Sequence, residues 1–436
     1  MVEWRNLPWC DKIKDTMAKY IIEGGIPLKG TVKAQGNKNS ILKIMAACLL
    51  TNEECLIENV PAIGDVLVMG EILRKLGAEV AGLGTTTLRV RVRRIKTGDL
   101  PEALVAKLRA AIVLMGPLLA RYGEVSFRHP GGCIIGRRAV GTHFDAVRAL
   151  GARVWAKDDF YKIKLAEPRS ADIFLDEASV TATENALMLA AKIPGETIIR
   201  DAACEPHVQE LCCVLEKMGA KIEGEGSNLL KIKGKKKLGG FKHQIWPDHI
   251  DVGTWAIAAA LTKGQITIKG VREQDLAMIL LYLSRFGVKF RLKKDSLEVF
   301  PSLLKAPLGK IQTRPWPGFP TDLMSPLIVL ATQAKGATLC HDWMFESRMF
   351  FVDSLIAMGA NITFCDPHRV QVFGPTPLRG KNLSSPDIRA GMALILAALC
   401  AQGKSEIDKI ELVERGYEKI AERLRSLGAR IVEVRG

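Results

Sequence analysis

An α/β protein of two domains, each built from three copies of one unit, is what this sequence predicts, and three observations carry the prediction. A helix-like stretch followed by an apolar residue, Gly, a small apolar residue, a variable one and a β-former returns six times, around Gly77, Gly151, Gly219, Gly287, Gly359 and Gly428. Ahead of each copy runs an Ala-rich, nearly all-apolar stretch with a polar start: residues 39–50, 109–120, 183–191, 251–261, 322–331 and 388–401. A unit of roughly 70 residues cannot bury both of its faces alone, so copies must pack around shared cores, and 436 residues suit three copies in each of two domains.

Each element follows from local chemistry. Gly in the left-handed conformation closes a helix, and the β-former after it starts a strand. The apolar stretches have no polar face, so they predict helices buried on most sides. Turn residues and strands such as Thr197-Ile198-Ile199 and Ile266-Thr267-Ile268 then complete the unit.

Composition narrows the function. Hydrophobic residues at 48% and charged residues at 25% predict a folded chain and exclude a disordered one. A net charge of +15 favours anionic partners: nucleic acid, an anionic membrane face, or small molecules carrying phosphate and carboxylate. The ten cysteines are scattered, and several, such as Cys48 and Cys400, sit in apolar runs, which predicts reduced buried thiols and a cytoplasmic protein. No Cys-x-x-Cys pair suggests zinc, and no metal or cofactor is expected. The apolar runs 112–120 and 392–401 are too short to span a membrane. Residues 1–19, with Trp4, Trp9 and charges throughout, read as an amphipathic helical extension rather than a signal peptide.

The polar starts of the apolar helices hold the candidate chemistry. They carry Lys38, Asn39, Arg109, Ser179, Thr181, Thr183, Asp248, Asp251, Thr321, Asp322, Asp387 and Arg389. Helix N-termini attract anions through unpaired N–H groups and the macrodipole. Capping alone accounts as well for Ser179, Asp251, Asp322 and Asp387. It fails for Lys38, Arg109 and Arg389, because a cation there opposes the dipole and needs an anion beside it.

Several segments resemble a known family. They are Gly36-Asn37-Lys38-Asn39-Ser40, Leu108-Arg109-Ala110, the loop Pro130-Gly131-Gly132-Cys133-Ile134-Ile135-Gly136-Arg137-Arg138, Ser179-Val180-Thr181-Ala182-Thr183-Glu184-Asn185, Phe319-Pro320-Thr321-Asp322, Phe345-Glu346-Ser347-Arg348, Asp387-Ile388-Arg389-Ala390 and Glu414-Arg415-Gly416-Tyr417. Together, in this order, they are similar to the UDP-N-acetylglucosamine 1-carboxyvinyltransferase family, which shares its fold with the shikimate-pathway enolpyruvyl transferase. The resemblance implies an inside-out α/β barrel of two domains with three βαβαββ units each. It divides the chain into an extension 1–19, a domain 20–37 plus 247–436, and a domain 38–246 that carries the Cys133 loop.

The activity it implies is transfer of the enolpyruvyl group of phosphoenolpyruvate to the 3-hydroxyl of UDP-N-acetylglucosamine, the first committed step of peptidoglycan synthesis. Phosphoenolpyruvate carries a phosphate and a carboxylate, and the resemblance assigns Lys38, Arg138, Arg348, Arg389 and Arg415 to it. Arg suits such bidentate contacts. Cys133 is the implied general acid, between glycines and close to Arg137 and Arg138, where nearby cations favour a reactive thiol. Asp322 is the implied base for the sugar hydroxyl. Asn39, Arg109, Ala139, Val140, Gly141, Thr142, Ser179, Val180, Met344 and Asp387 are the remaining substrate-binding residues. Ala139 and Gly141 stand where the family usually has Pro and Asp.

Two other readings stay open at this stage. One is an enolpyruvyl transferase with a different acceptor; the cysteine loop argues against shikimate 3-phosphate, less so against another nucleotide. The other is a basic nucleic-acid-binding protein, which the Lys231–Lys237 region invites, although no binding motif or aromatic-basic interleaving accompanies it.

Overall fold

The structure, a computed structural model, describes residues 18–132, 136 and 139–435. The expected helix in the first 19 positions falls outside the described residues up to position 17. Ala18 is already buried in a core, and the strand Lys19–Glu23 starts next to it.

The described strands form six open sheets, five of them mixed and built on one plan. In one of them Lys29–Lys33 lies parallel to Gln265–Lys269, which pairs antiparallel with Ser296–Phe300, which pairs antiparallel with Lys289–Lys293. Four other sheets repeat this order. The sixth has three strands, Glu124–Arg128, Phe160–Leu165 and Ala152–Lys157, and a single parallel bridge from Asp99 to Ser126 takes the place of the fourth. Lys19–Glu23 inserts between Lys404–Asp408 and Arg430–Val434, so the start of the described chain completes the sheet at its end.

The six predicted glycines all have positive φ: 104° at Gly77, 99° at Gly151, 110° at Gly219, 77° at Gly287, 101° at Gly359 and 91° at Gly428. Each ends a helix and launches a strand, a backbone turn that a Cβ would strain.

The apolar helices lie inside and the sheets outside. Every residue of His249–Leu261 and of Met324–Thr332 is buried, and so are all of Ile388–Cys400 but the last; these three helices pack against one another. Their counterparts are Lys38–Ala47, the stretch from Arg109 to Tyr122, and Val180–Ala190. The second of these departs from the expected single helix. Arg109–Leu114 is a 3-10 helix and only Met115–Tyr122 is α-helical. The side chain of Asn185 explains the break. Its amide oxygen accepts from Gly116 N at 2.7 Å and its amide nitrogen donates to Ile112 O at 3.0 Å, replacing the backbone bond those two groups would form. Gly116 permits the approach, since a Cβ there would lie 2.5 Å from the Asn185 carbonyl oxygen.

Two hydrophobic cores result. One draws on residues 18–34 and 250–431, the other on residues 41–245. The chain passes between them twice, and the crossings are paired: Gly36 bridges Pro247, Asn37 N donates to Trp246 O at 2.8 Å, and Asp248 N donates to Gln35 O at 2.9 Å. Among the described residues no helix is long and apolar enough to cross a membrane. In the Lys231–Lys237 region, Lys231 and Lys233 lie on the exposed face of the strand Leu229–Gly234 and Lys235, Lys236 and Lys237 in the turn after it, the surface position their charge suits.

Candidate active site

The N-termini of the Lys38 and His249 helices meet across the two halves. Asn37 caps the Lys38 helix, its side chain accepting from Asn39 N and Ser40 N at 2.9 and 3.1 Å. Asp248, rather than Asp251, caps the His249 helix, accepting from Ile250 N at 2.9 Å while its other oxygen accepts from Lys38 N at 3.3 Å. Asp251 is instead buried one turn inside and paired with Arg423 at 2.7 Å. Asp387 caps the Ile388 helix, accepting from Arg389 N and Ala390 N. Ser179 makes no side-chain cap bond.

Four of the expected cations converge on two carboxylates. Asp65, 4% exposed, meets Lys38 Nζ at 3.1 Å and Arg415 Nε at 2.8 Å. Asp322 meets Arg389 Nη2 at 2.8 Å and Arg348 Nη2 at 3.3 Å. Both arginines are buried, and among the described residues Arg348 Nε and Arg389 Nη1 have no hydrogen-bond partner. Asp322 does not act as a cap; burial alone would raise its pKa, but Arg389, Arg348 and Lys38 outweigh burial and hold it well below the ordinary carboxylate range. The cluster therefore joins both halves, with four cations arranged around Asp65 and Asp322 and a further carboxylate, Asp342, 4.0 Å from Arg348 Nε. Such an array of fixed donors suits an anion with more than one charged group.

The described residues of the loop that follows Arg128 lie against Ala106, Arg109 and, in the other half, Glu346. Gly131 lies so close to Ala106 that a Cβ would sit 1.9 Å from its carbonyl oxygen, and Gly132 packs over Arg109. Gly136 lies against Glu346 of the other half, where a Cβ would be 2.1 Å from its carboxylate. Cys133, Arg137 and Arg138 lie outside the described residues.

Arg109 Nη1 meets His129 Nε2 at 2.9 Å and Pro130 O at 3.3 Å. Next to it, His143 is clamped between Asn185, whose amide donates to Nδ1 at 3.1 Å, and Thr181 Oγ1, 3.1 Å from Nε2. Nδ1 accepts, so Nε2 carries the proton and donates to Thr181. Burial, and then the charge of Arg109, push the His143 pKa down to about 3, so the ring is neutral. Val140 is buried, Ala139 and Gly141 are exposed, and a Cβ on Gly141 would meet nothing within 4 Å. Thr142 donates to Asp176 at 2.5 Å. Met344 is held through its N–H by Asp342 at 3.1 Å. Asn39 and Val180 stand at the open N-terminal ends of their helices.

Sequence reasoning missed Asp65, which joins Lys38 to Arg415. Its only local signal is an acidic residue in the first turn of the amphipathic helix Gly64–Leu76.

The chain belongs to the EPSP synthase (3-phosphoshikimate 1-carboxyvinyltransferase) family, whose model matches residues 22–424. It is 48% identical over 425 residues to the UDP-N-acetylglucosamine 1-carboxyvinyltransferase of Treponema denticola, covering 95% of this chain and 99% of that one. It is also 48% identical over 426 residues to the protein of the same name from Bradyrhizobium diazoefficiens, covering 95% and 98%. Among solved structures, the enolpyruvyl transferase NikO from Streptomyces tendae matches with a TM-score of 0.86 at 26% identity, covering 97% of this chain and 100% of that one. An EPSP synthase from Acinetobacter baumannii matches with a TM-score of 0.73 at 17% identity, covering 96% and 100%, and shows the shared fold.

Proposed function

We propose that this protein transfers the enolpyruvyl group of phosphoenolpyruvate to the 3-hydroxyl of UDP-N-acetylglucosamine, with release of phosphate, and so commits the sugar to peptidoglycan synthesis. The observation that carries this is the near-full-length likeness, at 48% identity, to relatives bearing that activity in their names. The cation cluster supports it. Phosphoenolpyruvate would take over the charges of Lys38, Arg348, Arg389 and Arg415 that Asp65 and Asp322 neutralise in the protein alone, with Arg138 joining from the loop. Losing its arginine partners to the substrate raises the basicity of Asp322, as a base next to the acceptor hydroxyl requires. Asp322 takes the hydroxyl proton as the oxygen attacks C2, and Cys133 delivers a proton to C3. Phosphate then leaves C2 as a C3 proton returns to the Cys133 thiolate, and the double bond re-forms as the enol ether of the product. The fixed cations hold the anionic groups throughout. Asn39, Arg109, Ala139, Val140, Gly141, Thr142, Ser179, Val180 and Met344 would receive the nucleotide sugar, with Asp387 fixing the helix that bears Arg389.

The domains in this reading are 20–37 plus 247–436 and 38–246, each three βαβαββ units wound as an inside-out barrel. The two separate cores and the paired crossings support that division, with Ala18 and Lys19 joining the first. We place the protein in the cytoplasm; the free thiols of all eight described cysteines fit a reducing compartment. Phosphate release with phosphoenolpyruvate and a panel of acceptors tests the activity. Release with UDP-N-acetylglucosamine and not with shikimate 3-phosphate is expected; the reverse pattern overturns the reading.

A further inference from the structure

One side chain at the first crossing between the halves takes no part in the reaction above, yet it is built into the backbone that presents Arg415. Gln35 is 5% exposed. Its main chain belongs to the crossing: its N–H donates to Asp251 Oδ2 at 3.1 Å, and its carbonyl accepts from Asp248 N at 2.9 Å. Its side-chain amide serves a distant part of the chain. Nε2 donates to Gly416 O at 2.9 Å, and Oε1 accepts from Glu418 N at 2.8 Å. A carbonyl can only accept and an N–H only donate, so the amide has one orientation. Arg423, itself paired with Asp251, adds a longer contact to Oε1 at 3.4 Å.

The segment that Gln35 holds has little regular structure of its own. Residues 415–419 link the helices Ile410–Glu414 and Ile420–Ser426 and belong to neither. Lys419 closes the link with φ at 44°, in the left-handed region that a side chain resists. A buried amide that satisfies both a carbonyl and an N–H of this link does there what a helix or sheet ladder does elsewhere. Arg415 stands at the start of the link and reaches into the other half, to Asp65 at 2.8 Å and Lys107 O at 2.9 Å. Gly416, next to it, is wedged against the site: a Cβ there would lie 2.5 Å from Ile388 and 3.4 Å from Cδ of Lys38. Tyr417 has anchors of its own, complete burial and the Thr254 hydroxyl at 3.3 Å. What Gln35 adds is the placement of the Gly416 carbonyl, and with it the root of the Arg415 side chain.

We propose that Gln35 is a positioning residue for Arg415: anchored in the crossing, its amide holds residues 416–418 so that the guanidinium is presented to the anionic groups of phosphoenolpyruvate. This rests on the proposed reaction. The test is a double-mutant cycle on the full chain, with wild type, Gln35→Met, Arg415→Met and the double variant. Calorimetric binding of phosphoenolpyruvate and of inorganic phosphate, steady-state kinetics and melting curves are the readouts. Met keeps the length of Gln and loses both hydrogen bonds. Gln35→Met is expected to raise the phosphoenolpyruvate Kd and KM about tenfold, with the UDP-N-acetylglucosamine KM within about twofold of wild type. In the Arg415→Met background the same change alters the phosphoenolpyruvate Kd by less than about twofold while still lowering the melting temperature. Gln35→Glu keeps the acceptor for Glu418 N–H, gains Arg423 as a counter-ion and lacks the donor to Gly416 O. It serves if the Met variant does not fold, and the same weakening is expected. Wild-type binding in a folded Gln35 variant, or equal weakening with and without Arg415, overturns the proposal and leaves Gln35 a support of the fold alone. Weaker phosphate binding that depends on Arg415, in a protein that turns over no UDP-N-acetylglucosamine, would uphold the role of Gln35 and overturn the reaction.

Discussion

Asp65→Asn isolates the counter-charge that Lys38 and Arg415 share. One carboxylate faces Lys38 Nζ at 3.1 Å and Arg415 Nε at 2.8 Å, with 4% of its side chain exposed. At an effective dielectric of about 20, each contact is worth about 5 kcal/mol of attraction before desolvation is subtracted. Removing one partner of a buried pair typically costs about 3–5 kcal/mol, and Asn keeps one oxygen as an acceptor, so the expected loss is about 3 kcal/mol in urea denaturation at neutral pH. A phosphate-bearing ligand supplies the missing negative charge. Inorganic phosphate should therefore stabilise Asp65→Asn more than wild type, and bind it about tenfold more tightly because it no longer competes with Asp65. The readout is the urea midpoint at rising phosphate concentration, with phosphoenolpyruvate as a second titrant. If Asp65→Asn is as stable as wild type and responds equally to phosphate, Asp65 is not the counter-ion of this site, and the competition between substrate and carboxylate falls with it.

Three further outcomes are expected. Cys133→Ser nearly abolishes phosphate release while Cys133→Asp retains a measurable part, since a carboxylic acid can also donate a proton; full activity in Cys133→Ser removes the thiol from the chemistry. Gly141→Asp, placed where a side chain meets nothing within 4 Å, folds normally and lowers the UDP-N-acetylglucosamine KM severalfold with no change for phosphoenolpyruvate; a higher KM shows a loop shaped around glycine. His143 has its pKa lowered to about 3 from 6.5, so the unfolded chain binds a proton that the folded one refuses. Stability is complete above about pH 6.5 and is lost as pH falls toward 3, and denaturation curves for His143→Gln should fall less steeply than wild type across that window.

Much of the architecture was legible because it is local. Gly77 and its five counterparts announce their backbone conformation within a four-residue pattern, and the buried helices announce themselves by lacking a polar face. What escaped was decided by residues far apart in the chain. The 3-10 segment at Arg109 exists because Asn185 inserts into it, and no window around Arg109 contains that amide. Asp251 looked like a cap, yet Asp248 does the capping and Asp251 answers Arg423, 172 residues away. In the site, Lys38 and Arg389 were legible as cations that needed an anion, but Asp65 as the partner of one of them was not.

The bridge between Gly36 and Pro247 has a consequence for how this protein can be taken apart. Residues 38–246 enter and leave at neighbouring points, so the whole segment hangs from the remainder like a loop closed at its base. A short linker joining position 34 to position 250 would excise it without rethreading any strand of the other core, and the released segment would have its own ends side by side. Each half is thus a candidate for separate expression, for new termini placed at the junction, and for reassembly from two chains. Whether mixed fragments recover phosphate release would reveal how much of the catalyst lies in the act of two bodies meeting.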